Sequence, residues 1–272
     1  MKDDKIQILL TNDDGIASPG LWAAAEALST IGYVNVVAPR EQASGAGRSL
    51  PATSDGVIRP ESMTVGGREW TVYAVGGTPA QAVLHGVLEI LPRKPDLVVS
   101  GINYGENVGT GVTISGTVGA ALEAGALGIP GLAVSLQTDP RFHLSYSRAV
   151  DFSAAQHFTA LFARLMLINH LPEDVDVLKV DIPSDATAVT PWTVTRLGRH
   201  RYYEPLPPRR ASWEERAAVR FQTPASLEGL PEDSDIVTLV VKRLVSVTPL
   251  SLDLTARVDL KELEALLRKQ PT

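Results

Sequence analysis

Asp13 and Asp14 stand side by side just beyond a short apolar run at residues 6–10, and Gly15 follows them. Two like charges about 4 Å apart repel by roughly 4 kcal/mol at an effective dielectric near 20, a cost that a divalent cation removes. Neighbouring strand residues point to opposite faces, so both carboxylates reach one ion only where the backbone leaves extended geometry. Gly15 permits that turn. Asn-Asp-Asp-Gly is also good turn chemistry, so the pair gains its weight from what else reaches the same place. Ser44 opens Ser44-Gly45-Ala46-Gly47 after a second apolar run, and Asn103 and Asn107 follow a third at residues 97–100. In open α/β sheets, ligands bind beyond the carboxyl ends of the strands, and all of these residues fall on that edge. The available ligands are oxygens from Asp, Ser and Asn, a set that favours Mg²⁺, Mn²⁺ or Ca²⁺ over zinc.

Ser115-Gly116-Thr117 precedes a helical stretch. Ser and Thr are good N-caps. The free N–H groups of a helix start also form a cup for a phosphate, and Gly116, lacking a Cβ, lets an anion approach the backbone closely. Other chemistries find no support. No G-x-G-x-x-G follows the first strand, and neither a Walker A pattern nor a Ser nucleophile elbow occurs. The histidines at 85, 143, 157, 170 and 200 show no ligand spacing and fall outside the strand-end cluster. Arg196, Arg199 and Arg201 read as a solvated patch.

The elements that must hold these residues alternate. Apolar runs at 6–10 and 34–38 flank a helical stretch at 21–31 that Pro19-Gly20 opens, giving a βαβ unit. Residues 57–75 read as a hairpin around Gly66-Gly67. A helix from Pro79 to about residue 91, the strand at 97–100, a helix at 115–127, a strand at 131–136, an amphipathic helix at 145–168 and a last core strand at 177–182 follow. The fold expected is α/β: a Rossmann-like, mostly parallel sheet with helices on both faces. Residues 1–183 form this catalytic core. Residues 184–272 differ, with a Pro- and Arg-rich arm, an apolar strand at 236–241 and a short helix at 261–268, and are expected to serve as an oligomerisation segment.

With 44% hydrophobic and 21% charged residues in 272, the chain can bury a sizeable core. Lys plus Arg number 25 and Asp plus Glu 31, so the net charge of −6 argues against nucleic-acid duplexes or membrane surfaces as partners. An anionic substrate then needs a local positive centre. With no cysteine, disulfides, thiolate metal sites and a Cys nucleophile are excluded. The charged start and the short apolar run after it give neither a signal peptide nor a membrane span, which makes the cytoplasm the expected location.

The run Thr11-Asn12-Asp13-Asp14-Gly15-Ile16 with Pro19-Gly20, Val37-Ala38-Pro39, Ser44-Gly45, Gly77-Thr78-Pro79-Ala80, the stretch from Pro95 through Ser100-Gly101-Ile102-Asn103, Ser115-Gly116-Thr117-Val118-Gly119-Ala120-Ala121 and Ser246-Val247-Thr248-Pro249-Leu250 together resemble the SurE survival-protein family of nucleotidases. The motifs run in order from residue 6 to about 136, with a further block near 246–255. The resemblance implies a metal-dependent phosphomonoesterase acting on nucleoside 5′- and 3′-monophosphates, and in some members on short polyphosphate. It matches Asp13, Asp14, Ser44 and Asn103 to the ligands of one divalent cation per subunit, with Asp13 and Asp14 also catalytic. It matches Ser115, Gly116 and Thr117 to the phosphate contacts. Asn12 and Asn107 are expected to touch substrate. The family's C-terminal segments exchange between subunits, which implies a homodimer or homotetramer. Arg40, Ala43 and Thr113-Ile114 depart from the usual pattern, and no ligand is lost. Two other functions fit the same residues: a non-catalytic nucleotide- or metal-binding regulatory module, and a nucleotide-sugar transferase using the acidic pair.

Overall fold

The computed structural model describes residues 5–269. In chain order the elements are β1 Gln7–Thr11, α1 Pro19–Leu28, β2 Tyr33–Pro39, β3 Ile58–Val65, β4 Arg68–Val75, α2 Pro79–His85, β5 Leu97–Tyr104, α3 Gly116–Ala126, β6 Gly131–Leu136, α4 Ser153–Ile168, β7 Val177–Ile182, β8 Trp192–Val194, β9 Glu204–Leu206, β10 Arg220–Gln222, β11 Val245–Leu250 and α5 Leu260–Leu267. Nine strands make one sheet in the order β3-β4-β2-β1-β5-β6-β7-β11-β8. From β4 to β7 every neighbour is parallel. The β3–β4 hairpin and the β7–β11 pair are antiparallel. Gly66 and Gly67 turn the hairpin with φ of 55° and 78°, the conformation that two-residue hairpin loops require.

Alternation along β1 sorts the core onto two faces. Ile8 and Leu10 pack with Leu21 and Leu28 of α1 and with Phe158 and Phe162 of α4. Leu9 packs on the other face with Ala82 and Val83 of α2 and with Ala120 and Ala124 of α3. Each fully buried leucine contributes about 1.5–3 kcal/mol, so the central strands are held from both sides and their carboxyl ends converge on one rim. The α/β architecture expected from the alternating runs is the one observed.

Three elements differ from the expectation. Residues 237–241 form a π-helical turn, not a strand. Ser234 Oγ accepts from Val237 N at 3.2 Å and Asp235 Oδ1 from Ile236 N at 2.9 Å. Leu239 and Ile236 are buried against Val108 and Tyr202. This one-sided burial overrides the strand preference of a β-branched run. The strand of this region is β11, which lies antiparallel along β7 and is followed at the sheet edge by β8, so β7 is not the last core strand. The predicted boundary near residue 183 therefore falls within one sheet. Helix α4 begins at Ser153, not near 145, and Asp151 Oδ1 accepts from Ser153 N at 2.8 Å just ahead of it.

Candidate active site

Beyond β1 the chain turns sharply. The Asn12 side chain accepts from Gly15 N and donates to Gly15 O, both at 3.1 Å, and Gly15 has φ +94°. This closed turn sends both carboxylates inward, and Asp13 and Asp14 are only 4% and 2% exposed. Asn12 is fully buried. Both polar atoms of its amide hold the turn.

Each carboxylate meets a different wall. Asp13 Oδ1 accepts from Thr117 Oγ1 at 2.5 Å. Asp14 Oδ1 accepts from Gln42 Nε2 at 3.0 Å and its Oδ2 from Tyr104 N at 3.2 Å. Burial pushes the Asp13 carboxyl up, against the Thr117 hydroxyl and the Gly116 and Thr117 backbone amides that stabilise its charge. Burial first, and then the Asp13 charge, push Asp14 up to about 8. The two acids thus carry an unrelieved cost of desolvation and mutual repulsion, which a cation offsets.

The Ser44 loop is tied to the Asp13 backbone and to the segment just before α3. Ala43 N donates to Asp13 O at 2.7 Å, and Gly47 N donates to Ile114 O at 3.0 Å. Ser44 itself is exposed in the turn between these two anchors. Asn103 is half-buried one residue before the Tyr104 amide that contacts Asp14. Its Nδ2 donates to Gly105 O at 2.7 Å, which leaves Oδ1 as the atom it could offer a cation. Among the described residues no three His, Cys, Asp or Glu side chains cluster as a metal cage. A cation here depends on the acidic pair and on neutral oxygens, and Asp13, Asp14, Ser44 and Asn103 fit that requirement.

Ser115 caps α3, its Oγ accepting from Val118 N at 3.1 Å. The first-turn donors behind it face Asp13. A Cβ built on Gly116 would come 2.7 Å from Asp13 Cβ and 2.9 Å from Oδ2. The close approach that the sequence assigns to a phosphate is made first by the Asp13 carboxyl. Asn107 is held by other partners: its Nδ2 donates to Ser135 Oγ at 2.8 Å and its N to Asp181 Oδ1 at 2.8 Å.

Several contributors carry no sequence signal. Gln42 bridges Asp14 and the His143 carbonyl, the latter at 2.7 Å. Tyr146 Oη donates to Asp14 O at 2.8 Å. His143, expected to lie away from the strand ends, packs its ring where a Gly105 Cβ would be, 2.6 Å from Nε2. The chain after β6 folds back over the rim, and burial holds this imidazole below its ordinary range.

An open α/β sheet with a buried carboxylate pair at its carboxyl rim, facing a helix start, puts the pair where such sheets bind their ligands and where helix starts bind anions. The family described as Survival protein SurE matches residues 8–204. The chain is 42% identical to a 5′-nucleotidase SurE of Methanocella arvoryzae, covering 96% of this chain and 98% of that one. It is 43% identical to a 5′-nucleotidase SurE of Thermococcus gammatolerans, covering 96% of each. The crystal structure of the SurE protein from Aquifex aeolicus superposes with a TM-score of 0.75 at 33% identity, covering 96% of this chain and 99% of that one. The chain belongs to the SurE family.

Proposed function

We propose that this chain is a divalent-cation-dependent nucleotidase that hydrolyses nucleoside 5′-monophosphates to nucleoside and phosphate. The observation that carries this reading is that Asp13 shares the start of α3 with the expected phosphate site. Its carboxylate touches Thr117, and its side chain lies 2.7 Å from a Cβ built on Gly116. A phosphate placed at the same helix end meets two carboxylates, each repelling it by roughly 4 kcal/mol per charge pair at about 4 Å. Such a site takes a phosphate only with a cation between. The relatives named 5′-nucleotidase support the substrate class.

Asp13, Asp14, Ser44 and Asn103 would hold the cation, which supplies polarisation of a phosphoryl oxygen and a lowered pKa for a water. The Gly116 and Thr117 amides and the positive end of α3 meet the charge that develops on the phosphoryl oxygens. One carboxylate of the pair accepts a proton from the attacking water. The same donors do not distinguish a 5′- from a 3′-phosphate, so we extend the reading to 3′-monophosphates and short polyphosphate. Phosphate release measured over a matrix of Mg²⁺, Mn²⁺ and Ca²⁺ against these substrates tests it. Cation and nucleotide binding without phosphate release would favour a regulatory module, and sugar-donor consumption would favour a transferase.

The C-terminal helix supports self-association. On α5, Leu260, Leu263, Leu266 and Leu267 are 62%, 40%, 61% and 75% exposed, an apolar face that a second copy of the chain would cover. Light scattering is expected to show a dimer or tetramer, and a monomer at micromolar concentration would contradict this. Among the described residues no helix is long and apolar enough to cross a membrane, and we place the activity in the cytoplasm.

A further inference from the structure

We infer that Lys179 is a positioning residue for the cation site, acting through two carboxylates that clamp the chain leaving β5. Lys179, Asp181 and Asp235 are all fully buried. The Lys179 ammonium makes a short contact to Asp181 Oδ2 and donates to Asp235 Oδ2 at 3.1 Å. Asp181 Oδ1 accepts from Asn107 N at 2.8 Å. Asp235 Oδ2 accepts from Gly109 N at 3.0 Å, and its Oδ1 accepts from Gly198 N and Ile236 N at 2.8 and 2.9 Å.

One ammonium therefore gathers β7, the C-terminal turn and the segment around Gly198 onto the stretch just past Asn103. The backbone there has no slack. Thr110 N donates to His200 O at 2.9 Å, and a Cβ on Gly109 would fall 2.3 Å from that same carbonyl oxygen. Three buried charges are a costly way to fill the flank of a sheet, since apolar residues pack such a place as well or better. What they supply is a fixed register between backbone amides and named carboxylate oxygens. Asn103, Asn107 and Gly109 lie on one continuous stretch, so this register sets where Asn103 presents its oxygen. The inference rests on the proposed reading of Asn103 as a ligand.

The experiment is a calorimetric Mn²⁺ titration of the full chain, comparing Asp235→Asn and Lys179→Met with wild type and with Phe158→Leu. The last substitution loosens the α4 core without touching the clamp. In Asp235→Asn the side-chain oxygen can still serve Gly198 and Ile236, while its amide nitrogen then opposes Gly109 N–H and the Lys179 ammonium, donor against donor. Removing such a supporting contact weakens metal affinity by about 10–100-fold, and that is the loss expected for both clamp variants. Phe158→Leu is expected to lower the melting temperature and leave Mn²⁺ affinity unchanged. Should the clamp variants not fold, hydrogen exchange on wild type decides: Mn²⁺ is expected to slow exchange at the Asn107 and Gly109 amides. Wild-type affinity in folded Asp235→Asn and Lys179→Met, or unchanged exchange at both amides, overturns the inference and leaves the acidic pair's reading standing. A wild type that binds no Mn²⁺ overturns both.

Discussion

Gly116 and Asp13 are packed so closely that no side chain fits between them. A Cβ on the glycine would lie 2.7 Å from Asp13 Cβ, inside any real contact distance. The start of α3 and the end of β1 are therefore one unit, and a change at either is felt at the other. The phosphate and cation halves of the proposed site cannot be separated by mutating Gly116.

Gly116→Ala is accordingly expected to impair Mn²⁺ binding and turnover together. The displaced carboxylate loses its Thr117 contact, and loss of an aimed donor costs about 10²–10³ in kcat. Calorimetry beside steady-state kinetics checks this. A variant with wild-type Mn²⁺ affinity and lowered turnover would show that the glycine serves the phosphate alone.

Thr117→Val keeps the shape of a buried side chain and deletes its hydroxyl bond to Asp13. A hydrogen bond to a charged group is worth about 1.5–3 kcal/mol, so kcat/KM is expected to fall by about 10–100-fold. Phosphate-release kinetics and a thermal melt report it. Unchanged kinetics would remove Thr117 from the site.

Gly119 offers a test in which two effects have opposite signs. Gly→Ala inside a helix ordinarily stabilises by about 0.8–1.0 kcal/mol. Here the new Cβ would meet Gly47 O at 2.3 Å and Arg48 N at 2.7 Å, pushing away the loop that carries Ser44. Gly119→Ala is expected to lower the melting temperature and weaken Mn²⁺ binding. A higher melting temperature with intact binding would mean that the loop is not docked there.

The pH dependence of the apo protein follows from Asp14, whose folded carboxyl is pushed up to about 8 from the ordinary 3.8. Between those values the folded state holds a proton that the unfolded state has released. Stability therefore falls as pH rises through this window, and it is fully retained below the unfolded value. Melting curves of metal-free wild type minus those of Asp14→Asn are expected to show this loss from about pH 5 to about pH 8, with Mn²⁺ abolishing it. A difference independent of pH would contradict the burial argument.

The placement of the acidic pair, Ser44, Asn103 and the α3 start along the strand-end rim was legible because strand ends and glycines carry local signals. Asn12 was legible as a neighbour, while only the closed turn shows its amide engaged with Gly15. Gln42, Tyr146 and His143 were not legible. Gln42 reaches Asp14 across 28 residues and Tyr146 across 132, and such pairings exist only once the loops fold over the rim. The Lys179 clamp was hidden for the same reason: β7 looks like an ordinary core strand, and Asp235 joins it from 56 residues away. The turn at residues 237–241 was misread because a β-branched run carries strand propensity, while burial on one side and two side-chain hydrogen bonds at its start decide its shape.

The central claim is that the Asp13–Asp14 pair works by holding a cation against a phosphate. The direct measurement is phosphate release from a nucleoside 5′-monophosphate by wild type, Asp13→Asn and Asp14→Asn, each with Mn²⁺ and with a chelator. Release is expected from wild type with Mn²⁺, none in chelator, restoration on adding the metal back, and none from either variant although both remain folded. Release that persists in chelator, or wild-type rates in either variant, would contradict it.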